Sequence, residues 1–145
     1  MLHSWITQLG AGAVLVVCLY GLWVGGWRER CGAGIYLAAY LITFGFGLIS
    51  IEYPTLYLMV ADALCLQAFY VLSWKSPRAW PKWAVAGQLI SVVAEVATLF
   101  HLGLRSYLFL TIETAAGWAV LLALLLGAIA ANKDRRDARR LATTK

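Results

Sequence analysis

Charged residues are scarce in this chain of 145 residues. Asp, Glu, Lys and Arg make up 13% of it, about half of the roughly 25% that soluble globular proteins carry. This shortage excludes a disordered tail and an ordinary cytosolic enzyme. Cysteine is also rare, and three cysteines without a Cys-x-x-Cys pair exclude a disulfide-stapled secreted module.

Histidine is rarer still, with only His3 and His101 in the chain. The two lie far apart, and neither belongs to a His-x-x-x-His or His-Glu-x-x-His motif, so we predict no metal site. The sequence also lacks a Gly-x-Ser-x-Gly elbow and a glycine-rich phosphate loop. We therefore predict no enzyme activity and no cofactor.

Hydrophobic residues, by contrast, make up 62% of the chain and gather in five long runs. Each run is near or above the roughly 17 to 25 residues that a helix needs to cross a bilayer. Because hydrocarbon offers no water to the backbone, uninterrupted runs of this length must be helices. The predicted fold is an all-α integral membrane protein, an antiparallel bundle of five transmembrane helices in residues 1–131 with a basic tail in residues 132–145. The predicted spans cover about residues 5–26, 32–51, 54–74, 83–101 and 107–131.

Basic residues lie almost entirely on one side of this predicted topology. Eleven of the twelve Lys and Arg residues fall in the first loop, the third loop and the tail, and only Arg105 lies on the other side. Because Lys and Arg favour cytoplasmic loops, we predict that the N-terminus is outside and the C-terminus inside, in a bacterial inner membrane. The predicted topology and lipid anchors are Arg28, Arg30, Lys75, Arg78, Lys82, Arg135 and Arg136.

Aromatic residues agree with these boundaries, since Trp and Tyr favour the membrane–water interface. Trp5, Tyr53, Tyr57 and Tyr107 lie near the predicted outer interface. The tryptophans at the predicted inner interface are Trp23, Trp27, Trp74, Trp80 and Trp83. We expect all five to lie at the level of the headgroups.

Three carboxylates lie inside the predicted spans: Asp62, Glu95 and Glu113. A charged residue at the bilayer centre costs about 2.5 to 3.5 kcal/mol, so an ionisable residue there indicates a functional site. With a rise of about 1.5 Å per residue, all three lie roughly 9 to 12 Å below the outer boundary. The hypothesis is a proton- or cation-binding site; the alternative is a structural role in which the acids bond to neighbouring polar side chains.

Further polar residues lie on the same predicted helix faces. At 100° per residue, Gln88, Ser91 and Thr98 share a face with Glu95, and Thr43 lies on a polar line of the second helix. These four are the predicted supporting polar residues. Such faces point inward, so we expect a polar interior that opens toward the outer side, with Glu52 and His101 at its rim.

The basic segments and the small residues indicate partners. The cations lie against the membrane, so we expect anionic lipid headgroups at the inner face and no nucleic acid. Small residues at i,i+4 spacing on the fifth helix predict a packing ridge, within one chain or in a homodimer or larger complex. That ridge consists of Ala115, Ala119, Ala123, Gly127 and Ala131.

The third loop carries an Arg-x-Trp-Pro-x-Trp-Ala motif from Arg78 to Ala84. In this middle third, the chain resembles a family of small multi-span proteobacterial inner-membrane proteins that are uncharacterised. The resemblance implies a multi-pass protein of that membrane and implies no activity.

Three functions remain open from the sequence. The first, which the sequence favours, is a non-enzymatic structural or accessory subunit of the membrane. The second is a proton- or cation-coupled transport or channel protein that uses Asp62, Glu95 and Glu113. The third is a holin-like membrane protein, which the small size and basic tail favour.

Overall fold

A computed structural model describes residues 2–48, 54–74, 76–100 and 106–143. Within these ranges the chain forms five α-helices and no strand, which confirms the all-α prediction. The helices are α1 (Leu2–Val24), α2 (Trp27–Leu48), α3 (Pro54–Ser73), α4 (Trp80–Leu99) and α5 (Ser106–Thr143).

Three of these helices are long and apolar enough to cross a membrane. The apolar segments are Leu56–Ser73 in α3, Trp80–Leu99 in α4 and Thr111–Thr143 in α5. In α1 the apolar stretch among the described residues is shorter, Leu9–Val24. Length and composition therefore indicate a membrane protein, while the spans expected in α1 and α2 stay predictions.

Consecutive helices pack side by side, and α5 also packs against α1 and α2, so the bundle closes on itself. The link from α1 to α2 is a Gly25-Gly26 pair, which allows a tight reversal. A Cβ on Gly25 would lie 2.7 Å from the Cβ of Glu29, and one on Gly26 would lie 2.6 Å from Glu29 Oε2. Side chains at either position would collide with the first turn of α2.

The observed helix ends differ from the predicted spans at α4 and α5. The predicted fourth span begins at residue 83, but α4 begins at Trp80 and has Pro81 in its first turn. Proline is tolerated there because the first N–H groups of a helix have no intrahelical partner. At the other end of the chain, α5 continues through the tail to Thr143, and its residues from Lys133 onward are exposed.

The interior contains two clusters of buried apolar side chains. The larger one, which we call the hydrophobic cluster, joins α3, α4 and α5. The smaller one joins α1, α2 and α5, and Tyr36 packs against both. The hydrophobic cluster consists of Cys65, Phe69, Trp80, Ala84, Val120, Ala123 and Leu124. The smaller cluster consists of Val14, Cys18, Ala33 and Leu121.

The predicted packing ridge on α5 is correct only over its second half. Ala123, Gly127 and Ala131 are buried, whereas Ala115 and Ala119 are exposed. Four residues advance an α-helix by about 400°, so an i,i+4 series drifts by about 40° at each step. Over the four steps of this series the drift reaches about 160°, which moves its first members to the opposite face.

Candidate functional site

The three acids of the predicted spans come together in the bundle. One carboxylate oxygen from each of Asp62, Glu95 and Glu113 lies within 4.8 Å of the other two. Asp62 lies eight residues after the start of α3 and Glu113 seven after the start of α5, whereas Glu95 lies four residues before the end of α4. Because α4 runs opposite to α3 and α5, these positions reach the same level. We call these three residues the carboxylate cluster.

The carboxylate cluster lines a cavity of about 180 Å³, which has room for an ion and several water molecules. Uncharged oxygen groups from α2 and α4 surround it. Among the described residues, no Lys, Arg or His lines it. The lining residues besides the cluster are Tyr36, Ala39, Tyr40, Thr43, Leu58, Cys65, Gln88, Ser91 and Gly117.

Two oxygens of the carboxylate cluster lack a hydrogen-bond partner. Glu95 is 1% exposed, and its Oε2 has no partner; Glu113 is half-buried, and its Oε1 has none. Asp62 differs, because the side chain of Gln88 hydrogen-bonds to it. A buried ionised carboxylate without a partner is costly, so the cluster must carry protons or bind a cation.

The structure brings most of the predicted supporting residues to this cavity. Thr43, Gln88 and Ser91 line it. Thr98 does not: its hydroxyl donates to Ala94 O at 2.9 Å, within its own helix. The predicted rim residues Glu52 and His101, like the predicted anchor Lys75, lie outside the described residues.

On one side, the cavity borders the hydrophobic cluster. Cys65 belongs to both, and Phe69 packs beyond it with its ring centroid 6.3 Å from that of Tyr36. From there the cluster continues through Val120 to Trp80, which fills the bundle toward the end where Arg78 lies. We call this end the basic end. The described state is therefore closed between the carboxylate cluster and the basic end.

A second buried polar group lies at the basic end, and the sequence did not reveal it. Glu29 is 1% exposed, and its Oε1 accepts hydrogen bonds from Arg78 Nη1 at 2.7 Å and Trp80 Nε1 at 2.9 Å. Arg78 Nη2 also donates to Asp134 Oδ2 at 2.8 Å. The hydrogen bond that Arg78 donates to Asp134 raises the pKa of Arg78, which stays charged. We call these four residues the Glu29 network; it joins α2, α4 and α5.

Trp80 corrects one prediction about the aromatic interface. The tryptophan was expected at headgroup level, but it is 5% exposed and lies in the core. Its indole lies against two glycines: a Cβ on Gly32 would lie 2.8 Å from Cη2, and one on Gly127 would lie 2.6 Å from Cδ1. The other four tryptophans of the predicted inner interface, Trp23, Trp27, Trp74 and Trp83, are exposed, as an interfacial position requires. The sequence signal for Trp80 is its neighbour Pro81, because a proline in the first turn of a helix makes Trp80 part of α4.

Several predicted lipid anchors also make protein contacts. Arg30 Nε donates to Gly25 O at 3.1 Å, and Arg135 Nη2 donates to the same oxygen at 3.1 Å. These guanidinium groups satisfy carbonyls at the end of α1, where positive charge is favoured. Lys82 and Arg136 are exposed, Arg28 is half-buried, and Arg78 belongs to the Glu29 network.

Comparison with known proteins gives no match: no family model fits the chain, and neither a curated protein nor a solved structure is significantly similar to it. The function must therefore be inferred from the carboxylate cluster and its surroundings.

Proposed function

We propose that this chain is a multi-pass protein of a bacterial inner membrane that passes a proton or cation through the carboxylate cluster. The observation that carries this proposal is the convergence of Asp62, Glu95 and Glu113 on one cavity. The sequence placed the three acids at one depth but did not determine whether they meet. A purely structural acid would be expected to bond to a neighbouring polar side chain, as Glu29 does to Arg78 and Trp80. Glu95 instead has an unpaired oxygen in a cavity that no described cation lines.

The proposed topology has five spans, with the N-terminus outside and the C-terminus inside. Three helices of sufficient length and apolar composition support it, as does the accumulation of cations at the basic end. In this orientation the carboxylate cluster lies in the outer half of the membrane. Anionic lipids at the inner face are the proposed surroundings of the exposed cations Lys82 and Arg136.

Transport through this bundle requires a second state. The hydrophobic cluster lies between the cavity and the basic end, and the Glu29 network lies at that end, so the described state gives no passage on that side. We propose that the helices shift against each other to admit the ion from one side at a time. The proposed role involves no catalysis and no cofactor.

The experiment is flux into proteoliposomes that contain the purified protein. We expect proton or metal-cation flux in the parent. The variants Asp62→Asn, Glu95→Gln and Glu113→Gln should each reduce it at least about tenfold, which corresponds to about 1.4 kcal/mol at the barrier. Each variant keeps the shape of the side chain and removes its charge, so a loss of flux reports on the charge.

The matched control is Asp137→Asn, which removes an exposed acid on the tail of α5. This variant should retain the flux of the parent. Absence of flux in the parent would contradict the proposed transport. So would flux in the three cluster variants that equals the flux of the parent. The structural or accessory role would then be the better interpretation.

A further inference from the structure

The charge of the carboxylate cluster limits which ion it can hold. Three ionised carboxylates carry three negative charges, and the described lining contains no cationic side chain to offset them. A monovalent cation would leave two charges uncompensated in a medium of low dielectric constant. A divalent cation leaves one, which a single proton or the partial exposure of Asp62 and Glu113 can accommodate.

The ligand atoms limit the chemistry of the ion. The cluster offers three carboxylate oxygens, and the hydroxyl groups of Tyr36, Thr43 and Ser91 lie in the same lining. Oxygen ligands of this kind select hard cations such as Mg²⁺, Mn²⁺ and Ca²⁺. Softer metals favour imidazole and thiolate ligands. Here the lining holds no histidine among the described residues, and Cys65 contributes a single sulfur.

The spacing of the oxygens agrees with a shared ion. Three atoms whose separations do not exceed 4.8 Å all lie within about 2.8 Å of a common point, so a small movement of the side chains brings them to the distance of a bound ion. Ca²⁺ binds oxygen at about 2.3 to 2.6 Å, and Mg²⁺ at about 2.0 to 2.1 Å. A proton shared between two carboxyl groups needs a short hydrogen bond, yet Glu95 Oε2 and Glu113 Oε1 have no partner.

From the charge, the ligand atoms and the spacing, we infer that the cargo is a hard divalent cation, bound by Asp62, Glu95 and Glu113 with water molecules completing its shell. This inference rests on the proposed function and specifies the class of ion. The buried and unpaired oxygen of Glu95 lies beside two further carboxylates and lacks the cationic partner that Glu29 has in Arg78, which distinguishes the site from a chance group of acids.

The experiment is equilibrium binding of MnCl₂ to the purified full chain in detergent, followed by the electron paramagnetic resonance signal of free Mn²⁺. We expect saturable loss of that signal, with one ion bound per chain. Mg²⁺ and Ca²⁺ should displace the bound Mn²⁺, and an excess of K⁺ or Na⁺ should not. The variants Glu95→Gln and Asp62→Asn should weaken binding at least about tenfold, because the charge of the ligand set determines affinity at such sites.

Asp137→Asn is again the control and should bind Mn²⁺ as the parent does. Asp62→Asn guards against a folding artefact, since its amide oxygen can still accept the hydrogen bond from Gln88. Displacement of Mn²⁺ by K⁺ or Na⁺ as readily as by Ca²⁺ would overturn the divalent assignment. If the parent binds no Mn²⁺ but shows a proton flux that depends on Glu95, the divalent assignment is overturned and the proposed function stands. If the parent shows neither Mn²⁺ binding nor flux, both the divalent assignment and the proposed function are overturned.

Discussion

At the scale of single residues, the described part of the chain contains two fully buried carboxylates that differ in their surroundings. Glu29 and Glu95 are each 1% exposed, and each has one oxygen without a partner. Glu29 also accepts hydrogen bonds from a guanidinium and an indole N–H, whereas Glu95 lies among other acids. The first arrangement stabilises the fold, and the second is the one expected at the proposed ion site.

This difference predicts opposite effects of two isosteric substitutions on stability. Glu29→Gln should lower the free energy of unfolding by about 1 to 3 kcal/mol, because it weakens charge-assisted hydrogen bonds to Arg78 and Trp80. Glu95→Gln should leave it unchanged or raise it, because no partner is lost and a buried charge is removed. The measurement is thermal unfolding in detergent with a chelator present. If Glu95→Gln destabilises as much as Glu29→Gln, the acid at position 95 is structural.

Sequence reasoning located the residues of the carboxylate cluster but not those of the Glu29 network. Asp62, Glu95 and Glu113 were identifiable because a charge within a long apolar run is conspicuous. Glu29 lies between Arg28 and Arg30, at a predicted interface where charges are common. The burial of Glu29 depends on the reversal at Gly25-Gly26 and on the loop that carries Arg78. Turns and loops have no hydrophobic periodicity, so the sequence pattern did not predict this burial.

At the scale of the helices, small residues determine where α5 approaches its neighbours. Gly127 lies under the indole of Trp80, and Gly87 of α4 lies against Val120. The sequence indicated small residues as the packing signal but placed them along an i,i+4 line, which does not remain on one face of a straight helix. The helix α4 begins three residues before the predicted span, which starts at residue 83, because Pro81 fits the first turn of a helix.

A glycine pair tests this packing. Gly127→Ala should lower the free energy of unfolding by about 1 to 3 kcal/mol, because its Cβ would lie 2.6 Å from a rigid indole. Gly45→Ala in α2 is the matched control: a Cβ there meets nothing within 4 Å, so the higher helix propensity of Ala should leave stability equal or raise it by about 0.5 to 1 kcal/mol. Thermal unfolding of both variants decides the matter. An equal effect of both substitutions on stability would contradict the contact between Gly127 and the indole of Trp80.

At the scale of the whole molecule, the depth of the carboxylates was predictable and their convergence was not. A rise of about 1.5 Å per residue places residues along a helix whatever its rotation. Which faces of the helices meet depends on the rotation of each helix about its axis. Hydrophobic periodicity does not show that rotation here, because apolar side chains lie on nearly every face of these helices. For example, exposed Leu64 and buried Cys65 are neighbours in α3, and both are apolar. The fold therefore follows from the sequence, whereas the cavity required the structure.

The central claim is that the carboxylate cluster binds a divalent cation, and an experimental structure with Mn²⁺ tests it most directly. Anomalous scattering locates the ion without reference to the protein. We predict one peak in the cavity, about 2.0 to 2.6 Å from an oxygen of each of Asp62, Glu95 and Glu113. A cavity without a peak at saturating Mn²⁺, with the three carboxyl groups bonded to one another or to protein hydroxyls, would contradict this claim.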